Sequence, residues 1–148
     1  MYRDVAGIRN SRRGVVLFIA LLGLCLNSHA GDVLLNVPPG VRVIDAEMLV
    51  KMAEEQPGLL MIDSRLQSDR LQGYIEGAIS LPNTKTTCES LAAVTTGYDQ
   101  PLVFYCNGIA CDRSAKAIRV AHRCGYKKVH WFQGGFKEWK TKKYPYIK

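Results

Sequence analysis

Four short apolar runs punctuate the chain: residues 59–62, 78–81, 102–105 and 129–132. The first is continuous, which fits a buried strand, and the other three, broken only by Ser80 and His130, are read as strands as well. Asp63 closes the first and Pro82-Asn83 the second. Residues 41–44 predict a shorter edge strand. The segments between carry helical spacing. Asp45 is a capping residue ahead of a helix over 46–56, whose apolar stripe is Met48, Leu49, Met52 and Ala53 and which Pro57-Gly58 ends. Short helices are expected over 68–71 and 89–94. Residues 114–123 place Ala117, Ile118 and Ala121 on one face, and Gly125 stops them. Gly134-Gly135 turns into a last helix over 136–140.

Strands alternating with helices imply an α/β fold, a parallel sheet covered by helices on both faces. Ligands in such sheets bind outside the carboxyl ends of the strands. Cys106 stands at one of those ends, directly after residues 102–105, and the predicted helix begins at Ser114.

The first 30 residues read differently. Arg3, Arg9, Arg12 and Arg13 form a basic start, residues 14–26 are uncharged and apolar, and Asn27-Ser28-His29-Ala30 follows. That order describes a secretory signal peptide cut after about Ala30. The apolar run is shorter than the roughly 20 residues a membrane span needs. The expectation is a periplasmic or secreted domain over 31–148 with no stable membrane insertion after cleavage; an uncleaved anchor is the rival reading. Four arginines against one aspartate leave with the signal, so the net charge falls from +7 to about +4. The remaining lysines are spread, with no interleaved aromatic platform, and no nucleic-acid partner is expected. A local anionic ligand is.

Of five cysteines, Cys88, Cys106, Cys111 and Cys124 lie outside the signal. An even count in an exported chain favours disulfides, and sequence does not choose among the pairings. No Cys-x-x-Cys pair is present, and His122 and His130 have no ligand-like spacing, so no metal or other cofactor is expected.

Residues 106–114 read Cys-Asn-Gly-Ile-Ala-Cys-Asp-Arg-Ser. A strand–loop–helix connection leaves the N–H groups of the loop and of the first helical turn without partners, which makes an anion site. A cysteine at its mouth has its thiolate stabilised. Arg113 adds a positive charge, and Gly108 is expected to supply backbone angles that a side chain forbids. The whole segment Asn107, Gly108, Ile109, Ala110, Cys111, Asp112, Arg113 and Ser114 is thus a candidate active-site loop, with Cys106 its nucleophile. Trp131, Phe132, Phe136 and Trp139 are read as core packing of the last helix.

The chain resembles a single rhodanese domain. Leu60-Met61-Ile62-Asp63-Ser64-Arg65 is similar to that family's strand ending in Asp-x-Arg. Residues 73–82 resemble its Gly-His-Ile-x-Gly-Ala-x-x-x-Pro segment, with Tyr74 where histidine is usual. Phe104-Tyr105-Cys106 resembles the strand leading to the catalytic cysteine, and Gly134-Gly135-Phe136-Lys137-Glu138-Trp139 the Gly-Gly-Phe-x-x-Trp signature. The resemblance implies a five-stranded parallel sheet and a thiosulfate sulfurtransferase. A persulfide on Cys106 would be loaded by a small anionic donor such as thiosulfate and unloaded by cyanide or a protein thiol. Asp63 and Arg65 would brace the loop, and a structural ion pair is their simplest description.

The loop departs from the family. The commonest form is Cys-x5-Ser, whereas Cys106 to Ser114 is Cys-x7-Ser, and the longer loop contains Cys111 as a Cys-x4-Cys pair. Cys111 could attack a Cys106 persulfide and release sulfide, close a disulfide that switches the enzyme off, or stand by. A thiol-redox or sulfur-carrier module using Cys106 and Cys111 is the non-enzymatic alternative. A phosphatase loop of the Cys-x5-Arg kind fits poorly, since Cys106 to Arg113 is Cys-x6-Arg.

Overall fold

The computed structural model describes residues 37–148. The signal expected over residues 1–30 lies outside the described residues. Five strands form one sheet: β1 (Arg42–Ile44), β2 (Leu60–Asp63), β3 (Ile79–Ser80), β4 (Leu102–Tyr105) and β5 (Val129–Phe132). Their order is β1-β5-β4-β2-β3 and every pairing is parallel. The helices are α1 (Ala46–Glu55), α2 (Gln67–Arg70), α3 (Cys88–Ala92), α4 (Arg113–Arg123) and α5 (Gly135–Thr141). A 3₁₀ turn over Asn83–Lys85 was not foreshadowed by any periodicity.

Side-chain alternation along the strands divides the core in two. Leu102 and Phe104 of β4 join Ile62, Trp131, Leu91, Ala117, Ile118 and Ala121 beneath α3 and α4. Val103 and Tyr105 join Phe132, Leu49, Met52, Phe136 and Trp139 beneath α1 and α5. All four residues of β4 are completely buried, as a central strand covered on both faces requires. The helices therefore do cover both faces of the sheet. Trp131, however, packs against α4, so only Phe132, Phe136 and Trp139 act as the packing of the last helix.

Local rules explain the element starts. Asp45 caps α1 by accepting from the Met48 N–H at 2.8 Å. Its buried face is Ala46, Leu49 and Met52, while Met48 is half-buried and Ala53 is exposed; the stripe keeps Leu49 and Met52 of the expected four and adds Ala46. Thr87 and Ser90 cap α3 reciprocally. β3 is only two residues long, because it sits at the sheet edge with a single neighbour. The C-terminal tail folds back: Tyr74 and Ile147 exchange two backbone hydrogen bonds of 2.9 Å.

Cys88, the first residue of α3, is disulfide-bonded to Cys124, the cap residue of α4. Cys106 is bonded to Cys111. Among the described residues no helix is long and apolar enough to cross a membrane, and no His, Cys, Asp and Glu group is placed to hold a metal.

Candidate active site

The chain after β2 turns toward β3, and the chain after β4 turns the other way, toward β5. The carboxyl ends of β2 and β4 thus flank the point where the winding reverses, where a parallel sheet opens a crevice. Asp63, Ser64 and Arg65 line one side of it. Cys106, 1% exposed, lies on the other.

The strand end at β2 is a buried charge cluster. Arg65 donates from Nε to Asp63 Oδ1 at 2.9 Å and from Nη2 to Oδ2 at 2.7 Å. Its Nη2 also donates to the Gly73 carbonyl at 2.9 Å, and its guanidinium stacks over Phe136 at 4.3 Å. Arg70 donates to Asp63 at 3.1 Å, and the Tyr105 hydroxyl donates to Asp63 Oδ2 at 2.9 Å. Burial works against the charge of Arg65, but the bonds and charge of Asp63 overcome it and leave the pKa above its ordinary value. Burial, then the charge of Asp63, pushes Tyr105 well up, so its hydroxyl stays neutral and donates. Asp63 and Arg65 therefore tie β2 to β4 and to the Gly73 turn. Arg65 borders a pocket of about 290 Å³ with Asn107, Phe136 and Lys137, while neither it nor Asp63 borders the groove of about 810 Å³ on the Cys111 side of the loop. Arg70 and Tyr105 belong to the same cluster, and nothing in the spacing of the sequence announced them. Tyr74 is covered by the Arg70 guanidinium at 3.6 Å.

The loop itself is held from α2 and α5. Phe136 and Lys137 donate backbone N–H bonds of 2.9 Å to the carbonyls of Cys106 and Asn107. That approach explains Gly134-Gly135: Gly135 has φ +56°, and a Cβ there would run into the Cys106 carbonyl. Gly108 corrects the sequence expectation. Its φ is not positive; instead its missing side chain lets the backbone lie against α5, where a Cβ would meet Lys137 Cβ at 3.3 Å. Asp69 of α2 accepts from Asn107 at 3.2 Å and pairs with Arg113 at 3.6 Å, bridging both ends of the loop. Sequence reasoning missed Asp69, because a single aspartate in a four-residue helix carries no signal.

Among the described residues, the N–H groups of Asn107, Gly108, Ile109 and Ala110 make no hydrogen bond. The Asp112 side chain does not cap α4; it pairs with Lys116 at 2.8 Å, which holds its carboxyl below the ordinary range. The start of α4 and the loop thus keep donors available to an anion. Ser114 is buried, and its hydroxyl accepts from the Trp131 indole at 2.9 Å, fastening the first turn of α4 to the sheet. A groove of about 810 Å³ runs beside the loop, bordered by Gly108, Ile109, Ala110, Cys111, Lys137 of α5 and Lys142 just past its end. Ile109 is 64% exposed at its rim.

Residues 45–142 match the Rhodanese-like domain family. An HTH-type transcriptional regulator of Mycobacterium tuberculosis, Rv0324, is 28% identical over 131 residues, which is 85% of this chain and 55% of that protein. This chain thus spans about half the length of that relative. Among solved structures, the rhodanese-like domain of the Alr3790 protein from Anabaena sp. superposes with a TM-score of 0.60 at 23% identity, over 70% of this chain and 76% of that one. The BH2092 protein of Bacillus halodurans gives 0.63 at 21% identity, over 72% and 76%. A thiosulfate sulfurtransferase from Pseudomonas aeruginosa gives 0.63 at 17% identity, over 72% of this chain and 20% of that one. The likeness to these structures is one of fold. The family match runs from the cap of α1 to the end of α5 and takes in every element that builds the Cys106 loop, so the chain belongs to the rhodanese-like domain family.

Proposed function

We propose that this protein is a sulfurtransferase that passes sulfane sulfur from a small anionic donor such as thiosulfate to a thiophilic acceptor through a persulfide on Cys106. The observation that carries the reading is the position of Cys106, at the carboxyl end of the central strand, followed by four N–H groups with no partner among the described residues and by the start of α4. The Cys106 thiolate attacks the outer sulfur of thiosulfate, the S–S bond breaks, and sulfite leaves with the electron pair. The loop N–H groups then hold the anionic persulfide. Attack by cyanide or a thiol on its outer sulfur returns the Cys106 thiolate. The working form is the dithiol, so the Cys106–Cys111 bond opens before the first turnover. An exported location agrees with the N-terminal sequence and with two disulfides in the described domain.

A second reading, a non-catalytic thiol-redox or sulfur-carrier module, is favoured by one observation, the Cys106–Cys111 bond itself. Intact mass separates the two. Reduced protein should gain one sulfur from thiosulfate and lose it to cyanide, and Cys106→Ser should gain none while keeping the fold by circular dichroism. A reduced wild type that gains no sulfur puts the redox module first.

A further inference from the structure

The two sulfurs of the loop are not equivalent. Cys106 is 1% exposed, whereas Cys111 is half-buried and borders the groove. The Cys111 N–H donates to the Gly108 carbonyl at 2.9 Å, a turn that folds the longer loop back until the two Cα atoms stand 6.2 Å apart and the sulfurs bond. Arg113 brings Nη1 to 3.7 Å from Cys111 Sγ, and the same Nη1 lies 3.6 Å from Asp69 Oδ2. A fixed cation at that distance favours sulfur as thiolate. Cys111 therefore has the three attributes of an attacking thiol: reach to Cys106 Sγ, a stabilised anion and contact with solvent.

We infer that Cys111 is a resolving cysteine that discharges the Cys106 persulfide as hydrogen sulfide, so that the protein acts as a dithiol-dependent reductase of sulfane sulfur. The inference rests on the persulfide reading above. The Cys111 thiolate attacks Cys106 Sγ, the persulfide S–S bond breaks, and the outer sulfur leaves with the electron pair as HS⁻, taking from solvent the proton that Cys111 gave up on ionising. Two cysteine sulfurs are oxidised to a disulfide and one sulfane sulfur is reduced to sulfide, so no outside oxidant is needed. The product is the Cys106–Cys111 bond present in the structure. Regeneration takes an external dithiol. Its first thiolate meets Cys111, the accessible sulfur, and frees Cys106 as thiolate; its second thiol releases Cys111 and leaves oxidised. The exposed Ile109 and Ala110, with Lys137 and Lys142, border the approach.

The test is a single turnover. The full chain is reduced with a dithiol, freed of it, and given thiosulfate with no other reductant. Sulfite, sulfide and intact mass are followed, and peptide mapping locates any new bond. Wild type should release about one sulfite and one sulfide per chain and end with Cys106 bonded to Cys111. Cys111→Ser should release sulfite, keep the extra sulfur on Cys106, and yield sulfide at least about a hundredfold more slowly, because the intramolecular nucleophile is gone. Sulfite without sulfide from wild type, with the sulfur retained, overturns the resolving role and leaves the transferase reading standing. Sulfide from Cys111→Ser at the wild-type rate also overturns it. No sulfite from either protein overturns the persulfide reading, and the resolving role falls with it.

Discussion

Replacing Cys88 and Cys124 together by alanine removes the covalent link between the start of α3 and the end of α4. The two are 36 residues apart in sequence and 5.5 Å apart at Cα. Closing a loop of that length restricts the unfolded chain by an amount worth about 4 kcal/mol at room temperature. The Cys106–Cys111 link spans a separation of 5 and by the same relation contributes about 2 kcal/mol. The larger loss falls on the pair away from the chemistry. α3 has five residues and one buried side chain, Leu91, so little else anchors it. The assay is urea unfolding of wild type and both double alanine variants under oxidising conditions. The Cys88→Ala/Cys124→Ala protein should lose about 4 kcal/mol and melt roughly 10 to 20 °C lower. A loss below about 1 kcal/mol would refute the claim that this link restrains the unfolded chain. A greater loss from the loop pair would refute the ordering by loop length.

Asp63→Ala strands the buried guanidinium of Arg65 and removes acceptors for Arg70 and Tyr105, so it should cost about 3–5 kcal/mol by denaturant unfolding; a change within error would mean water enters to replace the carboxylate. His130 has a buried Nδ1 with no partner among the described residues, and burial, then the charge of Arg42, lowers its pKa below 6.5. The unfolded chain therefore takes up the proton first as pH falls. Stability is full above about 6.5, falls as pH drops from there to the folded value, and loses nothing more from this group below it. His130→Gln should flatten that part of a stability–pH profile, and an unaltered slope would assign the acid loss to other groups.

The strands were legible because β4 is buried on both faces and β2 and β5 nearly so, which spells runs that are apolar except at Asp63 and His130; the turn residues set their limits. β3 was drawn too long, since only Ile79 and Ser80 stand in register with β2; Ala78 turns back on Ile75, and Leu81 keeps a single 3.0 Å bond to the Asp63 carbonyl. The nucleophile position was legible because a cysteine after a central strand stands out against its apolar neighbours. The partner of Cys88 was not. Its meeting with Cys124 depends on how α3 and α4 end up beside each other, which no local pattern encodes. The same holds for Asp69, whose bonds to Asn107 and Arg113 cross from α2 to the loop. Gly108 was misread because glycine answers two demands, unusual angles and close approach, and sequence does not distinguish them.

Loop length and the second cysteine belong to one argument. Lengthening a loop by two residues costs little closure entropy, but it adds N–H groups and volume that must be held if an anion is to meet a fixed site. Here α5 fastens the loop's entrance through the Cys106 and Asn107 carbonyls, and Asp69 fastens its exit through Arg113. The segment between, from Gly108 to Cys111, is closed by its own turn and by the disulfide. Opening that bond frees the middle of the loop and leaves its ends in place. On the proposed mechanism, the anion site and the resolving thiol would draw on the same four residues. A persulfide held by the loop N–H groups would keep Cys111 away, and the return of the turn would bring it back. The rate at which the turn at Gly108 re-forms would then set the lifetime of the persulfide, and with it the share of sulfur that leaves as sulfide rather than reaching an outside acceptor.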